Sequence, residues 1–356
     1  MFENKRLPTI LLTVLVLILA CFLLQYTSTI LVPFFLASFI TMLILPIIRW
    51  LERFIPSWLA FSVIFLFLAI GSMIDSLFFF SSLSEISNKI PEYSKQFHNM
   101  LQGVIAYADK YGMHITWTQI GTQKALSWAL NFLRSGISSV VYIIGQLMII
   151  LFIVIFLILE THQFEKKIEK SFNDENARNI IDTVNSIASQ LQQYIFAKTL
   201  VSLITGVGTT ILLYFLGVDF CLLWGILAFL LNFIPNIGSI IAVIPPILIA
   251  LLQFNTLGPA IGAFIGLLSI QTVVGYVVDP KVVGHSINLS PLVVFLSMLF
   301  WGWIWGVMGM VLAVPLTVSL KIICEHVESL AFISILLGEK SSFVASETLE
   351  TSDSKG

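Results

Sequence analysis

One uncharged stretch constrains the fold of this chain more than any other feature. It is Phe220–Leu252, 33 residues without an acidic or a basic side chain. About 20 apolar residues are enough for a helix to cross the hydrocarbon core of a bilayer, so this stretch is longer than one crossing requires. Pro235 lies near its middle, and Pro245 and Pro246 follow. Because proline lacks an N–H and clashes with the carbonyl group four residues earlier, we expect the helix to be interrupted at both places.

The composition of the whole chain indicates a membrane protein whose surroundings are a lipid bilayer. Of the 356 residues, 58% are hydrophobic and 11% are charged. Soluble domains carry about 25% charged residues, so a water-soluble fold is excluded. The net charge of −2, without a large basic cluster, argues against nucleic acid as a partner. The cysteines Cys21, Cys221 and Cys324 lie in apolar segments without a CxxC spacing, so neither a disulfide framework nor a metal site is predicted.

The apolar runs predict an all-α, polytopic membrane protein with about eight transmembrane helices, some of them broken or re-entrant. Residues 1–80 contain three spans, and residues 137–327 contain the others together with a polar helical connection at 160–193. The first run has the charged start of a signal peptide but no small-residue cleavage site, so we expect it to be retained as a helix. Residues 328–356 are predicted to form a polar tail. The predicted spans are Leu7–Leu24, Ile30–Ile48, Trp58–Phe80, Ile137–Leu159, Tyr194–Leu216, Phe220–Leu252, Pro259–Val278 and Leu292–Leu320.

Residues 81–136 interrupt this pattern with polar, amphipathic helices. Their apolar residues recur at steps of three and four, which places them on one helical face: Ile86, Ile90, Tyr93, Phe97, Leu101 and Val104. We expect these helices outside the membrane, on the bilayer surface or against neighbouring subunits. The exposed amphipathic faces therefore favour a homo-oligomer.

Lysine and arginine residues near the span ends predict the orientation of the chain. Basic residues near positions 5, 49, 166–178 and 321 share one side when eight segments cross, which places both termini in the cytoplasm. The C-terminal tail would also end in the cytoplasm if Phe220–Leu252 and Leu292–Leu320 were both re-entrant hairpins, but the Asp279–Pro291 loop would then lie on the other face. The charge pattern therefore leaves both alternatives open.

Polar side chains gather at the first proline interruption. Asn232 and Asn236 are four residues apart, so a continuing helix would place them on one face beside Pro235 and close to Gly238. Amide groups, freed carbonyls and the positive end of a half-helix are typical of sites that bind a small polar solute within a membrane. The alternative is a kinked helix whose asparagines fix its packing. Gln271, an amide within the seventh span, is a further binding candidate or a hydrogen bond between helices.

Two acidic residues are candidates for coupling to H⁺ or Na⁺. Asp279 lies at the end of the seventh span and precedes Pro280, so it either binds a cation or shapes the turn. Asp75 lies within the predicted third span, Trp58–Phe80. If that span ends at Ile74, Asp75 lies at the interface and has no special role.

Glycine and proline residues predict where helices pack closely or bend. Gly258, Gly262 and Gly266 are spaced at four, which lets two membrane helices approach each other. Gly238 and Gly309 are each followed, after three residues, by Ala-Val and then by a proline, a weak indication of an internal repeat. The residues assigned to packing or hinges are Gly258, Gly262, Gly266, Pro280, Gly284, Pro291, Gly306, Gly309 and Pro315.

No motif in the sequence indicates an enzyme. The chain contains no HExxH, no GxxxxGK[ST] and no GxSxG, and its five histidines are scattered. Catalytic residues, cofactors and metals are therefore not predicted, and a nucleotide-driven pump is disfavoured.

Three motifs, in their order along the chain, resemble the AI-2E (autoinducer-2 exporter) family, the PerM-type permeases of bacterial inner membranes. They are FIPNIG at Phe233–Gly238, DPKVVG at Asp279–Gly284, and LSPL at Leu289–Leu292 leading to GVMGMVLAVP at Gly306–Pro315. The resemblance extends over about Leu7–Val327. The matching positions are mostly glycines and prolines, which shape the backbone.

The resemblance implies a secondary transporter in the inner membrane, driven by an ion gradient, that exports a small polar solute such as autoinducer-2 (AI-2). For some members it implies sodium(lithium)/proton antiport instead. A membrane scaffold without transport is the alternative from a different class, and the polar interruption near Asn232 argues against it.

Overall fold

The computed structural model describes residues 6–110, 146, 148–160, 167–168, 170–171, 174–235, 237–254, 256–283, 289–327 and 330–338. Every regular element within these ranges is a helix, which confirms the predicted all-α fold. Five of the described helices are long and apolar enough to cross a membrane. In chain order the helices are α1 (Arg6–Tyr26), α2 (Ser28–Leu51), α3 (Ser57–Lys110), α4 (Met148–Glu160), α5 (Asp174–Phe215), α6 (Cys221–Leu231), α7 (Ile237–Phe254), α8 (Leu257–Val273), the π-helix Val274–Val278, α9 (Asp279–Val282), α10 (Pro291–Glu325) and α11 (Ala331–Leu337).

The chain divides into two compact units. The first comprises Met1–Phe54, Ile150–Ala197 and Val283–Gly356, and the second comprises Ile55–Ile149 and Lys198–Val282. The core of the first unit joins α5 to α10 through buried apolar side chains: Leu191, Tyr194, Ile195, Val314, Val318 and Ile322.

The predicted polar tail begins differently from expectation, because α11 is an apolar helix within it. Leu337 packs against the core of the first unit, and its carbonyl accepts a hydrogen bond of 3.1 Å from the Ser290 N–H. The apolar sequence AFISILL explains the difference, since Leu337 packs against the core, although Phe332, Ile335 and Leu336 remain exposed. The prediction of a polar tail is wrong for this segment, and residues 339–356 lie outside the described part.

In the second unit, α3 continues without a break for 54 residues, from the apolar third span into the amphipathic region. Of that predicted region, residues 81–110 belong to α3 and residues 111–136 lie outside the described part. The core of this unit is formed by α5, α6, α7 and α8, with a cluster of buried side chains: Leu213, Trp224, Ile249, Ala250, Ala263 and Leu267.

The interruption predicted at Pro245 and Pro246 is wrong, because both prolines lie inside the continuous helix α7. Ala242, Pro246 and Ala250 are buried at steps of four, so one face of α7 packs along its whole length. That packing holds the helix together despite the missing N–H groups, as neighbouring helices do for prolines in membrane spans.

The uncharged stretch is a helical hairpin rather than a straight crossing. The helix ends at Leu231 and resumes at Ile237, so the interruption expected near Pro235 is present. A methyl group on Gly238 would overlap the carbonyl oxygen of Leu231, so the two arms touch where the chain reverses. At the open end the Gln253 Oε1 accepts the Asp219 N–H at 2.8 Å, which joins the start of α6 to the end of α7.

The 11 residues of α6 span only about 16 Å, which is shorter than the ~30 Å hydrocarbon core. This arm cannot cross a bilayer alone, so the re-entrant alternative is the one supported for this stretch.

Helix α10 in the first unit contains a similar reversal. Gly306 has φ 63° and ψ −143°, a conformation that favours glycine. A methyl group on Gly309 would overlap the carbonyl oxygen of Trp301, although residues eight apart in a straight helix are about 12 Å apart. Gly238 and Gly309 therefore make the same kind of contact, which agrees with the internal repeat suggested by the sequence.

Candidate functional site

The predicted polar interruption brings Asn232 against helix α5. Asn232 caps the C-terminal end of α6, and its Nδ2 donates a hydrogen bond of 3.0 Å to the Ser202 Oγ. Ser202 is 0% exposed, so this contact lies within the helix packing. Pro235 is half-buried in the interruption, Gly238 is buried in the first turn of α7, and Asn236 lies outside the described residues.

An ion pair of the buried Lys198 with the partly exposed Asp279 lies one helical turn from Ser202 along α5. The Lys198 Nζ is 3.1 Å from the Asp279 Oδ1, and the side chains are 9% and 34% exposed, respectively. Asp279 begins α9, directly after the π-helix Val274–Val278. Short π segments occur frequently at functional sites. Because an unpaired buried charge is very costly, Asp279 neutralises Lys198 and is itself held by it.

Lys198 is a residue that the sequence analysis missed. It is the single charged residue in the predicted span Tyr194–Leu216. A charge within a membrane span is costly and usually has a partner or a function, so this lysine could have been found from the sequence. Its partner could not, because 81 positions separate it from Asp279.

No described contact joins the other predicted site residues to the Asn232–Ser202 hydrogen bond or to the Lys198–Asp279 ion pair. Gln271 is half-buried in α8, one turn before the π-helix begins. The backbone of Asp75 lies in α3, and its side chain lies outside the described part, as does Gly284. Pro280 is exposed in α9. None of these positions tests the assigned roles, which stay predictions.

The expected glycine packing face on α8 involves two of its three glycines. A methyl group on Gly266 would lie 2.6 Å from the Leu212 Cδ2 of α5, and one on Gly262 would lie 3.5 Å from the Leu216 Cδ2. Gly258 has no atom within 4 Å of that position. In α10, Pro291 occupies the first turn, where its missing N–H costs no helical bond, and Pro315 is buried.

A second polar cluster closes the base of the α6–α7 hairpin. The Lys89 Nζ lies 2.7 Å from the Asp219 Oδ2, and the Tyr93 hydroxyl donates to the same oxygen at 2.7 Å. The Trp224 Nε1–H donates to the Asp219 carbonyl at 3.1 Å, and the Lys89 ammonium lies over the Phe220 ring. These contacts attach the amphipathic half of α3 to the hairpin.

Tyr93 stays protonated in this cluster. Its pKa is raised above the ordinary value because burial disfavours the phenolate and because the hydroxyl donates to the Asp219 carboxylate. The sequence placed Tyr93 on an apolar face, which is correct for its ring but does not reveal the bond made by its hydroxyl.

Comparison with known proteins gives one consistent family. The model of the AI-2E family transporter matches residues 12–329, which include the interruption, the ion pair, the α6–α7 hairpin and the reversal in α10. The chain is 35% identical to a Haemophilus influenzae protein named "Putative transport protein", over 90% of this chain and 93% of that one. It is 32% identical to the AI-2 transport protein TqsA of Escherichia coli K12, over 88% and 91%.

A more distant relative is the sodium-lithium/proton antiporter of Halobacillus andaensis, which is 24% identical over 81% of this chain and 87% of that one. The family match over nearly the whole chain agrees with the apolar helices and with the resemblance of the three motifs. This chain is a member of the AI-2E transporter family, a multi-pass membrane transport protein.

Proposed function

We propose that this protein is a secondary transporter that uses an H⁺ or Na⁺ gradient to export a small polar solute. The solute binds at a polar layer formed by Asn232, Ser202, Lys198 and Asp279. The single observation that carries the proposal is the hydrogen bond from Asn232 to the buried Ser202, at the interruption of an uncharged hairpin. Amide and hydroxyl groups held inside a membrane can replace the water that a polar solute loses.

The name of the relative TqsA supports an AI-2-like solute. The absence of a nucleotide-binding motif from the sequence supports coupling to an ion gradient. We place the protein in the bacterial inner membrane with both termini in the cytoplasm, as the basic residues near the span ends favour. A homo-oligomer fits the exposed amphipathic half of α3.

AI-2 flux in proteoliposomes, under imposed proton or sodium gradients, tests the proposal. Asn232→Leu should reduce AI-2 flux at least tenfold, because it leaves Ser202 unpaired and removes the amide from the polar layer. Ser202→Ala should reduce flux less. Both variants should still assemble in detergent as the wild type does.

Ser269→Ala is the matched control. Its hydroxyl lies exposed on α8 and bonds to the Ile265 carbonyl of its own helix, so flux should not change. Full AI-2 flux by Asn232→Leu would overturn the proposed site. If the wild-type protein moves no solute under any gradient and co-purifies with a stoichiometric partner, a scaffold role replaces transport.

Sodium(lithium)/proton antiport is a second candidate function. The observation favouring it is the Asp279 carboxylate, which lies about one-third exposed beside the π-helix and faces only one cation, Lys198, among the described ion pairs. Sodium-driven proton flux in the same proteoliposomes should then disappear in Asp279→Asn. A variant that keeps full proton flux would exclude this role for Asp279.

A further inference from the structure

Four buried polar residues follow one face of α5 in the second unit. Lys198, Ser202, Thr205 and Thr209 are separated by steps of four, three and four, which places them on one side of the helix. Ser202 and Thr205 are 0% exposed and Thr209 is 1% exposed. We call these four residues the α5 polar column. Its eleven residue steps extend about 16 Å along the helix axis, roughly half the hydrocarbon thickness.

The neighbours of Thr209 show which way the column faces. Gly208 lies against Ile270 of α8, because a methyl group added at Gly208 would be 3.7 Å from the Ile270 Cδ1. The Thr210 side chain lies against Gly225 of α6. Successive residues of a helix are about 100° apart, so Thr209 points between these two directions. The column therefore faces the angle between α6 and α8, the side on which Asn232 meets Ser202.

The Thr209 hydroxyl is unsatisfied. It is one of the few buried side-chain oxygens among the described residues that has no hydrogen-bond partner. The other buried threonines, Thr41, Thr205 and Thr317, each donate to the carbonyl four residues earlier, at 2.8, 3.0 and 2.7 Å. Thr209 has the same option and does not use it. An unsatisfied buried hydroxyl is destabilising, and valine of the same shape would avoid that penalty.

We propose that the α5 polar column lines the solute path and that the Thr209 hydroxyl is a solute-binding group at its deep end. This inference rests on the transport function proposed above and adds Thr205 and Thr209 to its site. One turn beyond Thr209, the fully buried Leu213 joins the apolar core with Trp224 and Leu267, which ends the column.

The groups in the column define the class of solute. Asp279 neutralises Lys198, so the column carries no net charge. The remaining groups are three hydroxyls and the Asn232 amide, which both donate and accept hydrogen bonds. A charged solute would find no counter-charge there, and desolvating it would be costly. The column therefore takes a small uncharged solute that carries hydroxyl groups.

Thr209→Val tests the inference because binding and stability should change in different directions. With AI-2 as the transported probe, the KM of initial flux should rise about 3- to 10-fold, the size expected for one lost uncharged hydrogen bond. The Tm of the purified protein should stay equal or rise, since the hydroxyl has no partner to lose. Thr209→Ser should restore the KM.

Thr41→Val is the control, because it removes a buried hydroxyl that bonds within its own helix in the first unit, far from the column in the sequence. Its KM should equal that of the wild type. If Thr209→Val leaves the KM unchanged while Asn232→Leu abolishes flux, the column is wrong and the proposed function stands. A lower Tm in Thr209→Val, or a change in ²²Na⁺ flux without a change in AI-2 flux, would also overturn the inference. If the wild type moves no AI-2, both proposals fall together.

Discussion

Asp219 connects three parts of the second unit through a single residue. Its carboxylate accepts hydrogen bonds from Lys89 and Tyr93 of α3. Its N–H donates to the Gln253 side chain of α7, and its carbonyl accepts the Trp224 Nε1–H of α6. Hydrogen bonds to a charged acceptor are stronger than uncharged ones, and a shared acceptor couples their strengths. The position of the hairpin base relative to α3 therefore depends on this cluster.

Tyr93→Phe should lower the free energy of unfolding by about 1–2 kcal/mol, because it removes a hydrogen bond to a carboxylate and keeps the buried ring. The effect should depend on pH. The folded pKa of Tyr93 is raised above its ordinary value near 10, so the stabilisation is complete below that pH and is lost at higher pH. The Tm difference between wild type and variant should therefore be constant from pH 7 to about 9 and shrink above pH 10.

Tyr26→Phe is the control for this experiment, since Tyr26 is 81% exposed. It should follow the wild-type Tm at every pH. A Tyr93→Phe variant that melts like the wild type at pH 7 would show that the hydroxyl contributes no stability.

Some single residues could be read from the sequence and others could not. Asn232 was found because an amide beside a proline is conspicuous in an uncharged span. Lys198 could have been found because it is the single charged residue in its predicted span. Thr209 could not, because threonine in a membrane helix normally bonds to its own backbone, and only the structure shows that this one does not.

At the scale of elements, the two reversals depend on glycines that touch a carbonyl. Backbone atoms cannot rotate away as side chains do, so the Leu231 and Trp301 carbonyls leave no space for a side chain on Gly238 or Gly309. A sequence can indicate that a helix is interrupted there. Whether the chain bends or reverses depends on contacts such as Gln253 with Asp219, which are 34 residues apart.

Gly238→Ala and Gly309→Ala should each force the hairpin arms apart. We expect a loss of more than about 3 kcal/mol of stability, seen as poor expression or a Tm lowered by many degrees, because a backbone overlap cannot be relieved locally. Gly258→Ala is the matched control, since the same methyl group there meets no atom within 4 Å. It should be neutral or slightly stabilising, as alanine favours helix. A Gly309→Ala protein with the wild-type Tm would contradict the reversal described for α10.

The prolines of α7 show that sequence reasoning can also predict an interruption where the helix is continuous. Proline propensity predicts an interruption at Pro245, yet the packed face formed by Ala242, Pro246 and Ala250 maintains the helix. Local propensity is a weak prior when a helix is packed along its length.

At the scale of the whole molecule, the hairpin determines which side of the membrane later segments reach. Asp219, before α6, is hydrogen-bonded to Gln253 near the end of α7, so the chain leaves the hairpin on the side where it entered. Lys89 of α3 lies at this same base, beside the Asp219 carboxylate. The apolar segment Leu257–Val282 is long enough to cross the membrane once, and we expect it to do so. Lys281 should therefore lie on the opposite side from the amphipathic half of α3.

Membrane-impermeant maleimide tests this sidedness. In a background without Cys21, Cys221 and Cys324, Lys281→Cys and Lys110→Cys should be labelled from opposite faces of oriented vesicles, since both positions are exposed. If α6 and α7 formed one straight crossing, both would be labelled from the same face.

The short arm of the hairpin also constrains how the chain is made. A segment of 11 residues is too short to remain in the bilayer as an independent span, and its closing partner Gln253 is synthesised 34 residues after Asp219. We therefore expect α6 to wait beside the insertion machinery, or at the membrane surface, until α7 has emerged during translation. The two arms should then enter the lipid as a pair, a delayed insertion step that chains built only from full-length spans do not need.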